Sequence, residues 1–102
     1  MRMAVVVVLT VAGTLTASPA AAAVDGGVIY AQTCAQCHAN GLAGAPKAGD
    51  KAAWNQRLAL GRDSMLATVL KGKGAMPAKG GNASLSDAEA KAAMDYLLSR
   101  VK

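Results

Sequence analysis

Beyond residue 24, apolar residues recur at three- and four-residue intervals, and no stretch alternates as a half-buried strand does. Asp25 is suited to cap a first helix running to about Thr33. A Gly-, Ala- and Pro-rich loop follows from Gly41 to Gly49. Asp50 then caps a second helix, about Lys51 to Leu60, with Trp54 and Leu58 on one face, and Gly61 breaks it. A third helix starts near Asp63, runs through Leu66, Val69 and Leu70, and ends at Gly72. The segment from there to Gly81 is a second Gly/Pro loop. Ser86-Asp87-Ala88-Glu89 forms a capping box. It opens a last helix, Asp87 to about Arg100, whose apolar stripe is Ala90, Ala93, Met94, Leu97 and Leu98. The expected fold is all-α, with about four helices.

The first residues obey another pattern. Arg2 gives a positive start, and Met3 to Val24 carries no charge over 22 residues. That length can span a bilayer. Its second half, however, is Ala, Ser, Thr and Pro, and Ala20-Ala21-Ala22-Ala23 offers the small residues that a signal peptidase reads. Residues 1–23 are therefore expected to be a cleaved secretory signal, cut after Ala23 or Ala22, which places the product in the periplasm. The expected mature domain, 24–102, has 79 residues (102 − 23). A domain of that size, with Trp54, Tyr30 and Tyr96 as its aromatics, is near the lower limit for an unaided core.

Cys34-Ala35-Gln36-Cys37-His38 supplies the aid. Both cysteines and the one histidine of the chain fall in this Cys-x-x-Cys-His, the attachment pattern of a c-type haem. One helical turn separates the thiols, so each can add across one vinyl of the same porphyrin, and His38 then reaches the iron. One covalent haem c also gives the helices a large apolar disc to pack around. A zinc site lacks a fourth soft ligand, and a thioredoxin-like dithiol lacks its βαβ context.

The iron's other side is best served by Met76. Met65 and Met94 sit at helical spacing among apolar neighbours, as core residues do. Met76 lies in Gly72-Lys73-Gly74-Ala75-Met76-Pro77, where glycines permit tight turns and Pro77 restrains the backbone. His/Met ligation raises the potential and leaves no open position, which favours electron transfer over catalysis. If Met76 is not a ligand, a haem peroxidase or gas-binding sensor is the alternative. The carbonyl of Pro46, eight residues after His38, is placed to accept the other imidazole N–H. Trp54 and Arg57, at i and i+3, either bond a haem propionate or are a core tryptophan and a surface arginine. Gly26, Tyr30 and Cys34 share a helix face on which Gly26 admits a close crossing by the last helix, near Tyr96.

These residues together resemble the class I cytochromes c, and within them the bacterial cytochrome c5 group. The resemblance runs from Cys34–His38 through Gly44-Ala45-Pro46-Lys47-Ala48-Gly49-Asp50-Lys51-Ala52-Ala53-Trp54, Arg57 and Gly61. It continues through Gly72–Gly81 to Leu85-Ser86-Asp87-Ala88-Glu89. It implies a small helical fold wrapped around one haem, His38 and Met76 as axial ligands, and a periplasmic one-electron carrier shuttling between respiratory redox partners, not an enzyme. One departure stands out. Members of the group often carry a second cysteine pair after the Gly-Gly, where this chain has Asn82 and Leu85. Without that disulfide, a looser loop after Met76 is expected.

Net charge is +5, or +4 once Arg2 is removed. Lys47, Lys51, Lys71, Lys73 and Lys79 lie mid-chain, and Asp87, Glu89 and Asp95 near the end. The lysines are either a solvated surface or a basic face for a redox protein with an acidic docking face. Nucleic acid is excluded as a partner by the lack of any binding motif or aromatic interleaving. Membrane contact is expected only through partner complexes.

Overall fold

Helix α1 (Gly26–Ile29) begins where expected, because Asp25 Oδ1 accepts the amides of Gly27 and Val28 at 3.0 and 3.2 Å. The computed structural model describes residues 3–14 and 24–101, and among these it is helical without a strand. The expected cleavage positions lie outside the described residues. Residues 3–14 are exposed and carry no regular structure. Among the described residues no helix is long and apolar enough to cross a membrane.

The first helix does not stop at Thr33. It passes through a π turn, Tyr30–Cys34, into α2 (Ala35–His38), with right-handed backbone throughout. Neither Gly nor Pro interrupts the chain until Gly41, whose φ of +75° turns it away. The π turn inserts one residue into the helical count and so rotates the succeeding helix by roughly 100°. His38 comes to lie on the buried side, 8 % exposed, while Cys34 and Cys37 remain half-buried.

Helix α3 (Lys51–Leu58) is capped by Asp50 and ends two residues earlier than its pattern suggests, in a turn over Ala59 and Leu60. Helix α4 (Arg62–Lys71) comes after Gly61, and α5 (Asp87–Ser99) carries the full capping box, Ser86 Oγ accepting from Glu89 N and Glu89 Oε1 from Ser86 N. The core gathers Trp54 of α3, Met65 of α4, and Met94, Leu97 and Leu98 of α5. Tyr30, Ala48, Leu66, Val69 and Val101 pack against it.

The two end helices cross closely, and glycine makes that possible. A Cβ on Gly26 would lie 2.1 Å from the Ala92 carbonyl oxygen, and one on Gly27 would lie 3.0 Å from the Tyr96 ring. The rings of Tyr30 and Tyr96 meet at 5.3 Å, and Arg100 covers Tyr96 from outside. This crossing fixes the direction of the rod that ends in His38.

Candidate functional site

His38 is fastened at both its backbone and its ring. Its carbonyl accepts from Ala48 N at 2.7 Å, and its Nδ1 lies 2.8 Å from the Pro46 carbonyl oxygen. A carbonyl only accepts, so Nδ1 carries the proton and donates, leaving the Nε2 lone pair for a metal. The intervening Lys47 uses its own carbonyl to accept the Trp54 indole N–H at 2.8 Å. Residues 46, 47 and 48 are thus each tied to the histidine or to the tryptophan whose ring lies 5.6 Å from it.

That bond gives Trp54 a partner within the protein: its indole N–H points to the loop backbone. Arg57 is exposed. It donates to the Ala53 carbonyl at 2.6 Å and borders, with Pro46 and Lys47, a recess of about 330 Å³. The two residues remain adjacent, with the guanidinium 6.0 Å from the Trp54 ring centre.

Both cysteines are free thiols. Burial pushes the Cys34 thiol up, and burial likewise raises the neighbouring Tyr30 hydroxyl, with Cys34 and Tyr96 adding to the effect.

Met76 is half-buried at the closed end of a short turn. Lys73 N donates to Met76 O at 2.9 Å and Met76 N to Lys73 O at 3.0 Å. Gly72, at φ +79°, is indispensable to this closure. A Cβ there would meet Met76 O at 2.7 Å and Ala78 N at 2.8 Å. Beyond Met76, the turn Ala78–Gly81 holds Lys79 and Gly80 in left-handed backbone, with Gly80 against Thr33 of the π turn. The turn that follows Met76 therefore packs against Thr33, the residue just before the haem motif.

The lysines divide. Lys47, Lys71 and Lys73 are exposed and make no ion pair among the described residues. Lys79 does not belong with them. Its side chain is 21 % exposed and turned inward, with Nζ donating to Leu85 O at 2.7 Å and lying 3.2 Å from Asp87 Oδ1. This corrects its expected place on a docking face. The sequence offered one signal, a lysine placed between the Met76 turn and the start of α5, but nothing that gave its direction. The expected looseness after Met76 is likewise opposed by a run of turns. Asn82 N donates to Lys79 O, Leu85 N donates to Asn82 O, and Ser84 N and Oγ donate to Asn82 Oδ1.

The donors suit a c-type haem: two unpaired thiols one turn apart on one helix, and an imidazole whose Nε2 is left free by its Nδ1 bond. Among the described residues, no three His, Cys, Asp or Glu side chains gather around one point. A family model for cytochrome c oxidase, cbb3-type, subunit III matches residues 21–97. Cytochrome c-555 of Chlorobaculum tepidum is 46 % identical over 98 residues, covering 92 % of this chain and 88 % of its own. The chain belongs to the class I c-type cytochromes. Cytochrome c5 of Azotobacter vinelandii is 47 % identical over 72 residues, 69 % of this cytochrome and 87 % of its own length. Among solved structures, a cytochrome c in an electron-transfer complex with nitrite reductase matches with a TM-score of 0.73 and 50 % identity, covering 76 % of this chain and 95 % of that one. A mono-haem ferrocytochrome c from Shewanella putrefaciens matches at 0.66 and 40 %, with the same coverage. This cytochrome is a small electron-carrier haem protein with one haem c, bound covalently through Cys34 and Cys37. When bound, the haem supplies the one-electron couple, and the chain supplies attachment, ligands and burial.

Proposed function

We propose that this cytochrome is an exported, periplasmic electron carrier, released from residues 1–23, whose iron is held by His38 Nε2 and Met76 Sδ. The observation that carries the reading is the Pro46–His38 bond, 2.8 Å long, which sets the tautomer a ligating histidine needs. The Met76 turn supports it: Gly72 lets the loop close on Met76, the turn that follows packs on Thr33 just before the thiols, and the thioether of Met76 is a soft donor. Arg57, bordering the recess beside Pro46, is the residue we assign to a propionate, and Trp54 the one that braces the His38 loop. With both axial positions taken, no site is left for substrate at the iron.

A redox enzyme with an acidic face is the proposed partner, met by Lys47, Lys71 and Lys73. A structural relative found in complex with nitrite reductase supports a partner of that kind.

Optical and nuclear magnetic resonance spectra test the ligation. The oxidised protein should show the weak far-red band of iron–thioether bonding, and the reduced protein strongly upfield-shifted methionine protons. Met76→Ala should remove both and open the iron to carbon monoxide. Loss of the band in Met65→Ala, with persistence in Met76→Ala, overturns the assignment.

A further inference from the structure

Lys79 occupies a place where a lysine is poorly suited to stand. Its φ is +54°, a backbone region that favours glycine, and Gly80 and Gly81 come directly after it. Its ammonium lies at the start of α5, where the helix dipole disfavours a cation. A side chain kept against both preferences has a use. The chain leaves Met76, turns at Ala78–Gly81, and reaches α5 through Asn82–Leu85, where the other hydrogen bonds are local, backbone turns and the Asn82 side chain accepting from Ser84. Lys79 Nζ crosses that span, donating to Leu85 O at 2.7 Å and facing Asp87 Oδ1 at 3.2 Å. Asp87 is the exposed leg and contributes little, whereas the carbonyl leg is part-buried. The cross-link joins the Met76 loop to a helix start already fixed by its capping box.

We infer that Lys79 is a positioning residue, a non-covalent tie that holds the Met76 loop closed from the side where this chain has no disulfide. The inference rests on Met76 being the sixth ligand. Its role is to lower the fraction of time the loop swings out and Met76 leaves the iron. An external ligand can bind only in that open state, so its apparent affinity reports the open fraction directly.

The test is imidazole titration of the oxidised, haem-loaded protein, comparing parent, Lys79→Gly, Lys79→Met and Met76→Ala, with thermal melts of each. Lys79→Gly is the sharpest variant, because it relieves the left-handed backbone while removing the tie. A lysine without this role predicts that Lys79→Gly binds imidazole as weakly as the parent, or more weakly. The tie predicts an apparent affinity about tenfold or more above the parent in both Lys79 variants, with Met76→Ala tighter still. The far-red band should remain in the Lys79 variants at neutral pH, showing that they fold and that Met76 still returns. Parent-like affinity in Lys79→Gly, beside a much tighter Met76→Ala, overturns the tie and leaves the ligation standing. Equal affinity in parent and Met76→Ala overturns both.

Discussion

Single residues in this cytochrome act through where their neighbours leave room. Gly26 and Gly44 make the contrast testable. At Gly26 the backbone is ordinary helix, but a side chain would enter the Ala92 carbonyl; at Gly44 there is open space, but φ is +79°. Gly26→Ala should cost about 3 kcal/mol through overpacking, since two backbones must part. Gly44→Ala should cost roughly 1 kcal/mol through strain alone. Guanidinium melts of the haem-loaded variants measure both. His38 illustrates the same dependence on neighbours: its ring direction is set by a carbonyl eight residues away. The position of Pro46 eight residues after His38 is legible in the sequence, whereas the direction of its carbonyl is set by the fold of the loop. Lys79 is not legible in this way. Whether a lysine lies outward in water or inward on a carbonyl depends on where α5 begins in space, which no local pattern states.

Elements begin and end where short-range chemistry acts, and those boundaries can be read. Asp25, Asp50 and Ser86 each cap the helix expected of them, through hydrogen bonds to amides two or three residues on. The π turn is the opposite case. Tyr30–Cys34 has no unusual composition, and no local signal in the sequence marks the inserted residue. For α5, Ser86→Ala should lower stability by about 1 kcal/mol. The partner carboxylate adds a pH dependence. Backbone and side-chain hydrogen bonds from Ser86 hold Glu89 below its ordinary value of 4.5. A depressed carboxylate stabilises the fold above its unfolded value and loses that contribution as pH falls through the folded one. Glu89→Gln should therefore flatten the acid side of the stability profile below about pH 4.5 and leave its slope near neutrality unchanged. Thermal melts across that range check it.

At the scale of the molecule, the polypeptide's own core is small: among the described residues seven apolar side chains are buried, two of them alanines. Ordering the backbone costs on the order of 1–2 kcal/mol per residue. The haem-free chain should therefore give a mostly disordered circular dichroism spectrum, becoming helical only with haem attached; a cooperative melt without haem contradicts this. Charge also acts at this scale. Arg62 and Lys91 both pair with Asp95, whereas Lys71 and Lys73, beside the Met76 turn, are the cations that the proposed docking face would use. Lys71→Gln with Lys73→Gln should slow electron transfer to an acidic partner more than Arg62→Gln with Lys91→Gln. Added salt should erase the difference as screening shortens toward about 8 Å. The bond from the Trp54 indole to Lys47 has an optical consequence. The chain has a single tryptophan, and its ring stands 5.6 Å from that of His38. Energy transfer to the haem should leave it nearly dark in the folded protein. Its emission then becomes a native gauge of the 46–48 loop, brightening as that loop detaches and letting stopped-flow unfolding be followed without any added label.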